Sequence, residues 1–271
     1  MAMGQAANSN DVAINTILNF QDKILTQAQL DTSEWMRGKV LSTGKLQWTF
    51  NGIILDVDYG VPAANIFAQR TGTSGYGGSA SVFWADWRAA RSILKGRVRT
   101  TLAHPDTIDM IVSNEANKLE LLSQDAVTGT AEFVKFVGDP DTGNRLRSSD
   151  ARDRARIVGY GAEGEVLDPD NPGSTVAMPF FPRGVIAMVG EVISRGLTVG
   201  LGSSVESEQN PVRLGYTHIA PTVEGGGRPG RWSRIYTPED MPMQVAGQTA
   251  SNQLVVVEAP EKLVLLNTVM V

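Results

Sequence analysis

Between positions 9 and 43, apolar residues recur mostly three or four apart: Val12, Ile14, Ile17, Leu18, Ile24, Leu25, Ala28, Leu30, Trp35, Met36, Val40 and Leu41. That spacing gathers them on one broad side of a helix. The other side carries Asn19, Gln21, Asp22, Gln27, Gln29, Ser33 and Arg37. Ser9 or Asn10 suits the N-cap, and Asp11 suits the positive end of the helix dipole. Gly44 is placed to end the run, with Arg37, Lys39 and Lys45 near the negative end. An unbroken helix here has about thirty residues and is about 45 Å long. Alternatively, Asp31-Thr32-Ser33 starts a second helix that meets the first at an angle.

The pattern then shortens. The strand-like runs 46–50 and 53–59 flank Asn51-Gly52, a strong hairpin signal. Residues 72–78 are rich in glycine and serine and read as a loop. Helical period returns over 81–94, through Val82, Phe83, Trp87, Ala90, Ile93 and Leu94. Residues 107–112 read as a short strand, after which Ser113 or Asn114 caps a helix through Leu122; 131–137 reads as a shorter helix. Residues 138–154 are charged and loop-like. From 156 onward the pattern is β, with runs at 157–158, 176–181, 185–189, 197–201, 214–220, 253–257 and 262–271 separated by glycine and proline. The stretch 224–231 reads as a glycine loop. This order suits an elongated α+β platform carrying an inserted mixed α/β domain.

Length and composition change the picture little: 271 residues make one large domain or two moderate ones. The net charge of −5 gives no general nucleic-acid footprint, although a local basic patch is compatible with it. The chain has no cysteine, which removes disulfides, thiolate metal sites and cysteine nucleophiles. That usage fits an intracellular or virion protein. No apolar run reaches the length of about eighteen residues that a membrane span needs.

Candidate chemistry is sparse. Gly159-Tyr160-Gly161-Ala162-Glu163-Gly164 matches a dinucleotide-binding pattern, but the proline-rich stretch after Glu165 cannot supply the helix N-terminus that would face a pyrophosphate. A glycine-rich β-turn is the better reading. The acidic runs 139–143 and 168–173 lack the sixth-position glycine and twelfth-position glutamate of a calcium loop and read as solvated turns. His104 and His218 are the only histidines, so a multi-histidine metal centre is excluded, and no Gly-x-Ser-x-Gly elbow is present. Asp56 and Asp58 share a strand face and read as solvated or salt-bridged. The sequence therefore predicts no catalytic, cofactor or metal residues, and no enzyme. Arginines 88, 91, 97 and 99, and those from 145 to 156, form two basic clusters. They are either solvated surface or charged contacts between subunits.

Taken together, the sequence resembles the lambda-type major capsid proteins of tailed bacteriophages (the capsid-E family), which have the Hong Kong 97-type fold. The likeness rests on an ordered set of motifs. A long helix containing Glu34-Trp35-Met36 runs into Val40-Leu41-Ser42-Thr43-Gly44-Lys45, and a hairpin ends in Asp56-Val57-Asp58-Tyr59-Gly60. Phe83-Trp84-Ala85-Asp86-Trp87, Thr107-Ile108-Asp109-Met110-Ile111-Val112-Ser113, Phe181-Pro182-Arg183-Gly184-Val185-Ile186 and Ala259-Pro260-Glu261-Lys262-Leu263-Val264 follow in order. The resemblance implies a short N-terminal remnant at 1–10, a peripheral domain with the spine helix at 11–80 and 246–271, and an axial domain at 81–245. It departs from the family in having only about ten residues before the helix, where members carry an arm and an extended loop.

The implied role is structural. Copies form hexamers and pentamers of an icosahedral virion shell around double-stranded DNA held non-specifically, assembled in the host cytoplasm with no membrane. Portal, scaffold and decoration proteins are possible partners. As residue types enriched at interfaces, Trp35, Arg37, Arg88, Arg91, Arg145, Arg147, Arg231 and Trp232 are the interface candidates. An encapsulin-like compartment shell and a small-molecule-binding α+β protein are the alternatives.

Overall fold

The computed structural model describes residues 16, 17, 19, 26–50, 53–125, 129–138, 145–147, 150–167, 175–192, 213–223, 225–236 and 246–270. Helix α1 (Gln27–Thr43) runs unbroken through Asp31, Thr32 and Ser33, so no second helix starts there. Thr16, Ile17 and Asn19 are also helical, and the rest of the expected helix before Thr26 lies outside the described residues. The stop is the expected one: Gly44 takes φ 71°, which glycine adopts without a Cβ penalty, and its N–H donates to the Val40 carbonyl. Strands β1 (Lys45–Phe50) and β2 (Ile53–Asp58) form the predicted antiparallel hairpin, in register from Lys45↔Asp58 to Phe50↔Ile53. Asn51-Gly52 lies outside the described residues.

The main sheet has seven strands. Its path is β14 (Leu263–Asn267), β10 (Val185–Gly190), β3 (Val98–Ala103), β7 (Arg154–Gly159), β5 (Thr130–Gly138) and β4 (Leu119–Asp125), with β6 (Arg145–Arg147) also paired to β5. The two strands at its β14 end are apolar on both faces because both faces are covered. Ile186, Met188, Val264 and Leu266 enter a core under α2 (Phe83–Ile93) and α3 (Pro105–Ser113), with Phe83, Trp87 and Ile111. Their neighbours Ala187, Val189, Leu263 and Leu265 form a second core with Phe181, against which Leu41 of α1 packs. The C-terminal strand thus shares a sheet with strands of the chain's middle.

Three predicted elements are corrected. Residues 107–112 belong to helix α3: Pro105 at its first position has the right φ and needs no N–H there, and the His104 Nδ1 accepts from the Asp106 amide at 3.2 Å. A 3-10 turn, Glu115–Asn117, and strand β4 follow where a second helix was expected. Residues 131–137 belong to β5, which is hydrogen-bonded on both edges, to β4 and to β7. That tertiary pairing outweighs weak local propensity.

The polar centre is buried. Asp86 is 5% exposed and accepts two hydrogen bonds from the Arg70 fork at 2.7 and 2.8 Å. The Tyr76 hydroxyl donates to the same carboxylate at 3.0 Å. Burial first, then the Asp86 charge, pushes the Tyr76 phenol far above its ordinary value of 10.0.

Helix α1 sits between two layers. On one side a Cβ at Gly38 would lie 1.8 Å from the Phe180 carbonyl oxygen, so only glycine permits the approach. That side meets the ribbon of β8 (Glu163–Leu167) and β9 (Thr175–Pro179), where Tyr160 Oη donates to Glu34 Oε1 at 2.8 Å. On the other side Met36 and Val40 pack with Leu46 and Val255.

Three outcomes follow. Gly38→Ala is expected to cost at least about 2 kcal/mol in chemical denaturation, through forced backbone displacement; an unchanged midpoint would contradict the close approach. Arg70→Met leaves the buried Asp86 carboxylate with one donor and is expected to cost about 3 kcal/mol. Below pH 10 Tyr76 is neutral in both states; above it the unfolded chain ionises first, so stability falls as pH rises. The slope of stability between pH 9 and 11 is expected to be shallower in Tyr76→Phe.

Candidate interaction surface

Strand β13 (Ala246–Val257) is twelve residues long and carries two partners. Its first half pairs with β12 (Arg231–Tyr236) and its second half with β11 (Gly215–Ala220), both antiparallel. The chain leaves β11 opposite Asn252 and re-enters β12 opposite Ser251, consecutive positions of one strand. Between them it makes a glycine-rich excursion, as predicted for 224–231. Gly226 and Gly227 have φ of 64° and 81°, and Val223 at its tip is 95% exposed.

Directly opposed residues share a face, and faces alternate along each strand. The odd-numbered face lies on α1. Val255 is buried there, Gln253 accepts from Ser33 Oγ at 2.8 Å, and Thr217 Oγ1 accepts from Arg37 Nε at 2.9 Å. The even-numbered face points away from the helix and carries Tyr216, His218, Trp232, Arg234, Tyr236 and Leu254. Tyr216, Tyr236 and Leu254 are 41%, 37% and 36% exposed. The Arg234 guanidinium lies over the Tyr236 ring, 4.7 Å from its centre. Tyrosine, tryptophan and arginine on a rigid, half-exposed face are the composition of interface centres. Stacking on Arg234 also holds Tyr236 in place.

The predicted interface residues separate. Trp232 lies on this outer face, whereas Arg231, one residue earlier, faces the helix and lines a hollow with Asp31, Glu34 and Arg37. Arg37 is exposed, bonded to Glu34 and Thr217, and Trp35 is half-buried beside the Met36–Val255 cluster. Arg88 pairs with the buried Asp153, its Nε 2.6 Å from Oδ1, and Arg91 donates to the Arg154 carbonyl. Both sit on α2, away from the β11–β13–β12 face. The side chains of Arg145 and Arg147 lie outside the described residues. Tyr216, Arg234, Tyr236 and Leu254 escaped the sequence reading, although the alternation Trp232, Arg234, Tyr236 was there to be seen.

The other candidates resolve locally. His104 caps α3, and His218 is exposed on the outer face. Asp58 is salt-bridged to Lys45 at 2.8 Å, and that bond, with the Gly60 amide, holds its carboxyl below the ordinary value. Strand β8 begins at Glu163, inside the 159–164 stretch, where a pyrophosphate site would need a helix. The acidic runs 139–143 and 168–173 lie outside the described residues. Among the described residues, no group of three or more His, Cys, Asp and Glu is placed to hold a metal ion, and no helix is long and apolar enough to cross a membrane.

No protein-family profile matches the sequence, and no curated protein matches it. Among solved structures, the chain is similar to a protein of an Escherichia coli CFT073 prophage assigned as its capsid protein. That match has 12% identity and a TM-score of 0.42, over 87% of this chain and 62% of the other. It is also similar to a phage-related protein from Bordetella bronchiseptica RB50, at 9% identity and a TM-score of 0.35, over 76% and 57%. The chain thus spans less than two thirds of the length of either structure.

If the outer face is a surface and not a core, Tyr216→Ser with Tyr236→Ser changes the stability of the isolated subunit by no more than about 1 kcal/mol. A larger loss in denaturant melts would place those rings in the packing of the fold.

Proposed function

We propose that this chain is a structural building block, a major capsid subunit of the tailed-phage, lambda-type class with the Hong Kong 97-type fold. In this reading it acts as no enzyme. The observation that carries it is the outer face of the β11–β13–β12 sheet: aromatic, arginine-bearing, half-exposed, and keyed through Ser33, Arg37 and Met36 to the α1 helix. The ordered motifs from Glu34-Trp35-Met36 to Ala259-Pro260-Glu261 support the same reading.

A shell subunit gains little from each contact but repeats the contact around itself. A face that meets a different patch on the next copy closes into a ring when the rotation closes. Six- and five-fold rings of this kind build an icosahedral virion shell, assembled in the host cytoplasm and filled with double-stranded DNA. Portal, scaffold and decoration proteins would be its further partners.

The test is native mass with negative-stain imaging across a wide concentration range. Rings of five or six copies, or closed shells, are expected. Trp232→Ala with Tyr236→Ala is expected to weaken assembly at least thirtyfold, the effect of losing about 2 kcal/mol at an interface centre. A chain that stays monomeric throughout, or one whose assembly those substitutions leave unchanged, contradicts the proposal.

A further inference from the structure

A second feature lies inside the main sheet, away from the outer face. Strands β3 and β7 run parallel but pair only at Leu102↔Val158 and Ala103↔Gly159. Before those positions they part, and the gap is a cleft of about 400 Å³ floored by Trp87 of α2. By strand alternation, Arg99 and the α2 residue Arg91 line it on the helix side, while Arg154 and Arg156 line it on the opposite face. Among the described residues that line it, the one carboxylate is Glu132, across from Arg156. The described lining residues, four guanidinium groups and one carboxylate, carry a surplus of three positive charges in a chain that is acidic overall.

One further group points to a ligand. Thr101 lines the same cleft and is 2% exposed, and its hydroxyl is buried without a hydrogen-bond partner. A buried hydroxyl left unpaired is costly, and this one belongs to the wall of the cleft.

We propose that this gap is a phosphate-binding site. Guanidinium forks match phosphate oxygens two at a time, and donors on both faces of a sheet surround a tetrahedral anion from several directions. A planar carboxylate, with one charge and two oxygens, would satisfy fewer of them. The phosphate oxygens come either from a small phosphate compound or from the backbone of a nucleic acid. The site requires only the folded subunit, so its fate is independent of the assembly reading.

The test is calorimetric titration of the full chain with inorganic phosphate, at constant ionic strength against chloride, with tryptophan emission as a second readout. Saturable binding at one site is expected. Arg99→Gln and Arg156→Gln, both at exposed positions, should each weaken it on the order of tenfold, the effect of losing one charge-assisted pair. Thr101→Val removes only the hydroxyl. It should weaken binding severalfold while leaving the phosphate-free protein as stable as before or more so. Displacement of phosphate by a short single-stranded oligonucleotide assigns the source to nucleic-acid backbone; failure to displace assigns it to small phosphate compounds, and both outcomes keep the site. No saturable binding, or equal binding by wild type and both arginine variants, overturns it.

Discussion

The contact on which the rest depends is the one at Gly38. Helix α1 lies so close to the Phe180 carbonyl that there is no space for a methyl group. This brings Leu41 against the second core of the central strands. It also leaves the opposite side of the helix, Met36 and Val40, free to receive the hairpin and β13. One glycine therefore sets the spacing of three layers. The orientation of the outward-facing sheet is inherited from that spacing, because polar bonds from Ser33 and Arg37 tie β13 and β11 to the same helix.

Around the helix, two devices hold the molecule together. The first is alternation in β10 and β14, whose successive residues enter different cores, so neither strand has a solvent side. The second is the Arg70–Asp86–Tyr76 cluster, which joins the loop before α2 to the helix through a carboxylate that has almost no access to water. Such a cluster is costly to break and strict about geometry, since each oxygen must meet its donor. It fixes the end of α2, whose other residues, Trp87 and Arg91, shape the gap between β3 and β7.

Much of this was legible in the residues. The helix stop at Gly44, the β1–β2 hairpin, the tryptophan-rich α2 and the β-rich second half all follow from local pattern. The errors have physical causes. Ile108, Met110, Ile111 and Val112 look strand-like by composition, but His104-Pro105 builds a helix start and α3 follows. Ala131 to Val137 is strand only because β4 and β7 supply bonds on both edges, which no local pattern encodes. Strand β3 was hidden in an arginine-rich stretch. For the candidate surface, Arg231 and Trp232 are neighbours in sequence but take opposite faces of β12. Which side of a strand a residue takes depends on register against β13, and the long excursion at 221–230 conceals that register in the sequence.

The β11–β13–β12 sheet is thus bonded to α1 on one face and turns an aromatic face away from the helix. We propose that this outer face is where copies of the chain meet. Hydroxyl-radical footprinting at rising protein concentration tests it most directly. The account predicts that Tyr216, Trp232 and Tyr236 become protected together as assemblies form, while the α1-facing side chains do not change. Assemblies that form with those three rings as reactive as in the dilute chain would contradict it.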